Sequence, residues 1–243
     1  MVESIKKVIH WLTHKLGISL RRYTMFSSFD LQRQNLIKNN NIDTVIDGGA
    51  NIGQYANGIR KAGFKGHIVS IEPSSGAFRF LEATSRNDPV WRCFNNAIGD
   101  ENHVVALNIS QDSVSSSILN TSPALLEYAP CARTISREDV EMVRLDDIIQ
   151  QLDFDPGPIM LKLDIQGMEL RALAAASGLM AKSRLIELEA SLVDFYDESP
   201  SFDEVKSYLE RHGFRMVATQ PNSIDEISAR TLEMNLIFER FDQ

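Results

Sequence analysis

The residues best suited to chemistry in this sequence lie in a glycine-containing turn at positions 47–53. The segment reads DGGANIG and follows a short apolar run, so it predicts a strand, a tight turn and the start of a helix. Glycine lets the backbone approach a ligand closely, and the first turn of a helix presents unpaired N–H groups. The turn therefore predicts a binding site for a nucleotide-like molecule.

An acidic residue at the end of the next predicted strand adds to this site. Glu72 follows the strand at 67–71, where its carboxylate can accept hydrogen bonds from both hydroxyls of a ribose. The turn departs from the G-x-G-x-x-G pattern of dinucleotide-binding folds, because Ala50 stands at its middle position. A nicotinamide-dependent oxidoreductase or epimerase is therefore the less favoured alternative. A non-catalytic nucleotide-binding protein is a further alternative.

The turn is more similar to D-x-G-x-G-x-G, the first motif of S-adenosylmethionine-dependent methyltransferases. Asp47, Gly49 and Gly53 match this motif, and Asn51 replaces its middle glycine. Asparagine tolerates the left-handed backbone conformation that glycine otherwise supplies, so the replacement is physically reasonable.

Short β-rich runs alternate with helical runs from residue 42 onward, which predicts a parallel sheet covered by helices on both faces. Gly63 and Pro73 predict the end of the first helix and of the second strand. The predicted strands are 42–47, 67–71, 90–95, 159–164, 184–189, 216–219 and 232–238, and the later predicted helices are 167–177 and 202–212.

Several blocks together resemble the FkbM-type methyltransferases. They are TVIDGGANIGQYA (44–56), IVSIEPSSGAF (68–78), NNAIGD (95–100), VRLDDII (143–149), MLKLDIQGMELRAL (160–173) and MNLIF (234–238). The resemblance covers about residues 42–240. It implies a class I methyltransferase fold, which is a Rossmann-like α/β fold with a seven-stranded, mostly parallel sheet and an antiparallel last strand. It also implies S-adenosylmethionine as the cofactor and methyl transfer to oxygen.

The resemblance implies eight cofactor-binding positions. The turn would hold the methionine end, Glu72 the ribose, and the end of the third strand the adenine edge. These positions are Asp47, Gly49, Ala50, Asn51, Gly53, Glu72, Asn96 and Ala97. An ordinary strand-to-loop turn remains the alternative for Asn96.

Gln166 and Asn235 stand where many relatives have glutamate and aspartate. An amide neither takes a proton near neutral pH nor carries charge, so no role as base or metal ligand is transferred to Gln166.

A hydroxyl acceptor is a poor nucleophile, so the reaction calls for a group that removes its proton. Asp164, at the end of a predicted strand, is the first candidate for this base, Asp146 the second and His103 a distant third. Organisation of the cofactor pocket is an equal alternative for Asp164. An N-cap role at a helix starting near Ile148 is the favoured alternative for Asp146 and Asp147. A divalent ion between Asp164 and Glu189 or Asp194 is compatible with the sequence, but no metal ligand is predicted.

Two polar stretches predict where the acceptor binds. Residues 111–139 are rich in serine and threonine and too long for an ordinary connection, so they predict a lid or acceptor loop, with a plain mobile insertion as the alternative. The segment DFYDE at 194–198 combines aromatic rings with carboxylates, which suits a sugar ring, or else forms a solvated turn. The resemblance implies a sugar hydroxyl of a bacterial glycan or glycosylated metabolite as acceptor, although relatives also methylate polyketide hydroxyls.

The composition limits the remaining classes. With 25 Lys+Arg against 33 Asp+Glu in 243 residues, the net charge is −8, which argues against a general nucleic-acid binder. Two cysteines and no run of about 18 apolar residues predict a cytoplasmic protein without a spanning helix.

The N-terminal region differs in pattern from the rest of the chain. Residues 1–40 predict a basic amphipathic helical segment and residues 41–243 the methyltransferase domain. The helix would pack on the domain or give weak peripheral membrane contact near a lipid-linked acceptor. The oligomeric state is not predicted.

Overall fold

The computed structural model describes residues 27–241 and a few isolated positions before them, namely 11, 13, 15–17 and 24. Most residues on which the N-terminal amphipathic helix was predicted, including Ile5, Val8 and Leu12, lie outside the described residues. Among the residues that were described, no helix is long and apolar enough to cross a membrane.

Strands and helices alternate through most of the described chain. The strands are β1 (Thr44–Gly48), β2 (His67–Ile71), β3 (Trp91–Phe94), β4 (Ala97–Ile98), β5 (His103–Ser110), β6 (Thr134–Val143), β7 (Ile159–Leu163), β8 (Ser183–Ser191), β9 (Phe214–Ile224) and β10 (Thr231–Arg240). The helices are α1 (Phe29–Asn39), α2 (Gln54–Lys61), α3 (Ser75–Ser85), α4 (Pro123–Tyr128), α5 (Leu145–Gln150), α6 (Glu169–Ala174), α7 (Ser177–Lys182) and α8 (Phe202–Arg211).

Seven strands form the central sheet in the order β3-β2-β1-β7-β8-β10-β9. β10 runs antiparallel to both of its neighbours, and the other pairs are parallel. This topology confirms the class I methyltransferase fold that the sequence predicted. Gly48 pairs with Ile71 of β2 and with Leu163 of β7. The carboxyl ends of these three strands therefore meet at one edge, where open α/β sheets bind ligands.

Helices cover both faces of the sheet, so its central strands are buried throughout. Every residue of β1 and β7 is buried, as expected for parallel strands packed on both sides. One apolar cluster joins the sheet to α5–α8 through Leu145, Leu173, Leu179 and Leu209. The opposite cluster joins it to α1–α3 through Ile37, Ile59 and Leu81.

Helix α1 falls within the segment predicted to precede the domain, yet it packs on the sheet. Ser28 caps it by accepting from the N–H of Leu31. Phe29 and Ile37 are buried in the cluster that contains Val45. The boundary at residue 40 stays a prediction. Toward the other end of the chain, Ser201 and Glu204 form a capping box at the start of α8.

A second sheet was missed in the sequence. β4, β6 and β5 form a three-stranded sheet in that order. The interpretation of residues 111–139 as one irregular stretch is wrong, because α4 lies within it and β6 begins at Thr134. In β6 only Val140 and Met142 are buried, so its mostly polar sequence lacks the alternation that identifies a strand.

Candidate functional site

The glycine turn brings the backbone of β1 against the end of β7. Gly49 has φ 72°, and a Cβ atom there would lie 1.8 Å from the carbonyl oxygen of Asp164. Only glycine fits this approach. Asn51 has φ 46° and Gly53, at the N-cap of α2, has φ 88°. The left-handed conformation predicted for Asn51 is confirmed, and its side-chain oxygen accepts from the N–H of Ile52 at 2.8 Å.

Glu72 holds the turn from the end of β2. Its two carboxylate oxygens accept from the N–H of Asn51 at 2.8 Å and of Ser74 at 2.9 Å. Burial raises the pKa of this carboxyl to about 7, an effect that the two hydrogen bonds and the charge of Lys162 partly offset. Two of the roughly four acceptor positions of a carboxylate are therefore used by the protein, which leaves the others for a ligand.

A small cavity lies between the turn and the loop after β5. Its free volume is about 70 Å³. Gly49, Asn51, Glu72 and Ala97 line one side, and Ser113, Val114, Ser116 and Ser117 line the other. The amide of Asn51 lies 3.5 Å from the hydroxyl of Ser113, so the loop closes over the turn.

A large cavity of about 590 Å³ lies beside the small one. Its lining comes from α1, α2 and the ends of β7–β10, and includes Arg33, Gln34, Tyr55, Lys162, Glu187, Glu189, Asn222 and Asn235. Gly49, Gln54 and Asp164 line both cavities. The side chain of Asp164 is 39% exposed, with one oxygen 3.7 Å from the ammonium of Lys162. A carboxylate thus stands where the two cavities meet.

The sequence profile of the methyltransferase FkbM domain matches residues 47–216. The chain belongs to the FkbM methyltransferase family. It is an S-adenosylmethionine-dependent methyltransferase, as the sequence motifs predicted. No curated protein matches the sequence.

Solved methyltransferase structures resemble the chain at low sequence identity. One is the magnesium protoporphyrin IX methyltransferase ChlM from Synechocystis PCC 6803 with bound S-adenosylmethionine, at a TM-score of 0.48 and 12% identity, covering 87% of this chain and 78% of that one. Another is SMU.1697c from Streptococcus mutans in complex with S-adenosylhomocysteine, at a TM-score of 0.47 and 8% identity, covering 87% of this chain and 97% of that one.

The structure brings together five of the eight predicted cofactor residues of this FkbM methyltransferase. Gly49, Asn51, Glu72 and Ala97 line the small cavity, and Ala50 lines the large one. The other three line neither cavity. Direct cofactor contact by any of the eight stays a prediction.

Asp47, Gly53 and Asn96 line neither cavity, each for a different reason. Asp47 is fully buried, and Lys162 lies 3.0 Å from it while also donating to the carbonyl oxygen of Gly49. Asp47 therefore supports the turn from within the protein. Gly53 packs beside Leu81, and Asn96 turns away to donate to the carbonyl oxygen of Glu141 at 3.3 Å.

Asp146, the second candidate base, lies apart from Asp164. Its carboxylate accepts from the N–H groups of Gly178 at 2.9 Å and Leu179 at 2.7 Å, and it lines neither cavity. The N-cap alternative is wrong in detail, because α5 begins at Leu145 after Arg144. Asp146 instead binds the first turn of α7. The third candidate, His103, is exposed on β5, 4.0 Å from Glu101.

Glu189 is a site residue that the sequence interpretation named only as a conceivable metal partner. It lies at the end of β8 in the large cavity, and the amide of Asn222 donates to it. Burial, together with the negative charges of Asp164 and Glu233, raises its pKa well above the usual range. Strand order could have located this residue. β7 and β8 are parallel neighbours in which Leu163 pairs with Leu188, so the residues that follow, Asp164 and Glu189, lie level with each other.

The described residues contain no cluster of three or more His, Cys, Asp or Glu side chains arranged to hold a metal ion.

The prediction that aromatic rings at 194–198 hold a sugar is wrong. Phe195 and Tyr196 are buried against Leu125 and Ala132, where they close the core beneath α4. Of these two side chains, only the hydroxyl of Tyr196 reaches the site, where it donates to the side-chain oxygen of Gln166 at 2.6 Å.

Proposed function

We propose that this enzyme transfers the methyl group of S-adenosylmethionine to a hydroxyl of a sugar in a bacterial glycan or glycosylated metabolite. The observation that carries the proposal is the position of Asp164, whose carboxylate lines both the small and the large cavity. A base at that junction stands between a cofactor held on one side and an acceptor held on the other.

The small cavity suits the cofactor. Gly49 and Asn51 line it, so the turn can lie against the methionine end of the cofactor. The free acceptor positions of Glu72 suit the ribose diol of the cofactor. The small side chain of Ala97 leaves space for its adenine ring. When bound, the cofactor supplies a methyl group on a positively charged sulfur, which the carboxylates around the cavity favour by Coulombic attraction.

The large cavity suits an uncharged polyhydroxyl acceptor. Its volume of about 590 Å³ falls in the usual range for small-molecule sites, about 300–1,000 Å³. Four amide side chains line it, and each can both donate to and accept from a hydroxyl: Gln34, Gln54, Asn222 and Asn235. Among the described residues, three cations line it, and two of them are already paired, Arg33 with Glu187 and Lys162 with Asp47. The third, Lys61, is exposed on α2.

Asp164 supplies the step that the acceptor cannot perform alone. Its carboxylate accepts the proton of the acceptor hydroxyl while the oxygen forms its bond to the methyl carbon and the bond from carbon to sulfur breaks. One oxygen of this carboxylate lies 3.7 Å from the ammonium of Lys162. Alignment of oxygen, methyl carbon and sulfur by the two cavity walls accounts for much of the acceleration.

The remaining expectations belong to the same proposal. We propose a cytoplasmic enzyme, supported by the free thiols of Cys93 and Cys131. A lipid-linked sugar and weak membrane contact through the N-terminal segment are further parts of it, supported by the basic residues of that segment. We propose no nucleic-acid partner, because the net charge is −8.

The test is methyl transfer from S-adenosylmethionine labelled with tritium in the methyl group. Acceptors are methyl glycosides of hexoses and deoxyhexoses, nucleotide sugars, and an aromatic polyketide phenol. We expect label in at least one sugar and a methyl ether at one hydroxyl by mass spectrometry. Label in the phenol alone, or in none of the compounds while the protein binds S-adenosylhomocysteine, would overturn the sugar acceptor and leave the methyltransferase assignment intact.

A further inference from the structure

The side-chain amide of Gln166 joins the carboxylates at the ends of two neighbouring strands. Its nitrogen lies 2.5 Å from one oxygen of Asp164 and 3.5 Å from one oxygen of Glu189. Its oxygen lies 2.6 Å from the hydroxyl of Tyr196. One amide therefore contacts the proposed base, the buried carboxyl beside it and a buried phenol.

The chemistry of the partners fixes which way this amide points. An ionised carboxylate only accepts hydrogen bonds, so the NH₂ group must face Asp164. The oxygen then faces Tyr196, whose hydroxyl oxygen lies 2.6 Å from it and 3.2 Å from the carbonyl oxygen of Ser115. The two N–H bonds of the amide are thus available to two carboxyl groups at once.

The backbone of Gln166 is held in an uncommon conformation. Its φ is 54°, in the left-handed region that non-glycine residues rarely adopt. The hydroxyl of Ser117 donates to its carbonyl oxygen at 2.7 Å, and Glu169 accepts from the N–H groups of Ile165 and Gly167 on either side. Strained backbone that several contacts hold in place is typical of functional sites.

The amide also supplies the shortest contact of the proposed base. Its nitrogen lies closer to the carboxylate of Asp164 than the ammonium of Lys162 does, at 2.5 Å against 3.7 Å. Without this donor, the carboxylate of Asp164 would be free to turn toward solvent or Lys162.

We propose that Gln166 is a positioning residue, which holds the carboxylate of Asp164 at the junction of the two cavities by donating to Asp164 and Glu189 while Tyr196 fixes the amide. This role rests on the proposed function, because it serves Asp164 as the base. An amide can perform it because its NH₂ group donates, whereas an ionised carboxylate at this position has no proton to donate to Asp164.

The test uses variants that shorten the amide or remove its support. Gln166→Asn keeps an amide and tolerates the left-handed backbone, but it cannot span both carboxylates. Tyr196→Phe removes only the hydroxyl. The matched control is Gln150→Asn, the same change at an exposed position of α5. Each variant is measured for S-adenosylhomocysteine affinity and for the position of Asp164 in crystals with that ligand. Its kcat and KM are measured with the sugar that accepts label in the tritium test.

For Gln166→Asn we expect an unchanged affinity for S-adenosylhomocysteine, an Asp164 carboxylate displaced from the junction, and kcat lowered about tenfold or more with little change in KM. Tyr196→Phe should lower kcat less, and the double variant should equal Gln166→Asn, because both changes break one interaction. An unchanged kcat overturns the proposal whatever the crystal contains. If wild-type enzyme methylates no sugar, the proposed acceptor fails, and an Asp164 that stays in place then overturns the role of Gln166 separately.

Discussion

At the scale of single residues, Glu72 links the shape of the turn to the expected cofactor contact. Its oxygens already accept from Asn51 and Ser74. A ribose diol would add two charge-assisted hydrogen bonds, each of which contributes about 1.5–3 kcal/mol. We expect Glu72→Gln to weaken S-adenosylhomocysteine binding at least about tenfold by titration calorimetry, since the amide keeps one acceptor oxygen and loses the charge.

The pH dependence of that affinity provides an internal check on Glu72. Because burial raises its pKa to about 7, the carboxyl becomes protonated as the pH falls through neutrality and loses acceptor capacity. Wild-type affinity should therefore fall below neutral pH, and that fall should disappear in Glu72→Gln. The exposed Glu82→Gln on α3 serves as control. Equal affinities for all three proteins would mean that the ribose is held elsewhere.

Asp164 should separate binding from catalysis. It lies at the junction of the cavities, where its side chain contacts Gln166 and Lys162. We expect Asp164→Asn to bind S-adenosylhomocysteine as the wild type does and to lose methyl transfer by about 10²-fold or more, the scale of a general base. Transfer at the wild-type rate would remove Asp164 from this role.

Asp146 offers the opposite pattern, which decides between the two candidates named from sequence. Because its two carboxylate oxygens bind the N–H groups of Gly178 and Leu179, Asp146→Asn, which keeps only one acceptor oxygen, should cost about 1 kcal/mol of unfolding free energy, the scale of one hydrogen bond. Transfer per folded molecule should not change. Denaturant unfolding and the tritium assay measure the two quantities. A folded Asp146→Asn with lowered transfer would return Asp146 to the list of catalytic candidates.

At the scale of secondary-structure elements, the first βαβ unit was predictable and the second sheet was not. The strand at 67–71 is found with its predicted bounds, because apolar residues end at Glu72-Pro73. β5 and β6 instead bury few residues, three in β5 and two in β6. Their strand conformation depends on mutual pairing, which a single sequence does not display.

The site follows the same division. Asn51 and Glu72 were predictable because their roles depend on local backbone and on strand order. The amide of Gln166 was treated only as a missing charge, since its contacts with Glu189 and Tyr196 join residues 23 and 30 positions away. Such distant contacts leave no pattern in the spacing of residues.

We expect the loop after β5 to move when the cofactor binds. The small cavity holds about 70 Å³, below the range of about 300–1,000 Å³ for ligand sites. Asp112 fixes the loop by accepting from the hydroxyl of Ser110 and from the N–H and hydroxyl of Ser115. We expect Asp112→Ala to raise the dissociation rate of S-adenosylhomocysteine about tenfold in stopped-flow measurements, because three hydrogen bonds of about 0.5–1.5 kcal/mol each are lost.

The control for this loop is Asp139→Ala, which removes an exposed carboxylate from β6. Its dissociation rate should match the wild type. If Asp112→Ala also matches the wild type, the loop does not retain the ligand, and residues 111–117 are a passive wall of the cavity.

At the scale of the whole molecule, the fold places several carboxyl groups in the protein interior near one edge of the sheet. Glu72 ends β2, Glu169 begins α6 and Glu189 ends β8, and burial raises the pKa of each. Parallel strands make this unavoidable, because their carboxyl ends and the loops that follow them meet at that edge. The same arrangement that builds the site therefore imposes a cost on stability at neutral pH.

This cost in stability changes with pH in a direction that can be predicted. Glu169 provides the test, because it lines neither of the two cavities. Its folded-state pKa is raised to about 7, so the folded protein keeps a proton that the unfolded chain releases near its ordinary pKa of about 4.3. This contribution to stability is complete below about 4.3 and is lost as the pH rises through about 7. The Tm of the ligand-free protein should therefore fall by several degrees between about pH 5 and about pH 8. Glu169→Gln should flatten that slope, whereas the exposed Glu127→Gln on α4 should keep it. Parallel curves for the two variants would show that Glu169 is already ionised in the folded protein.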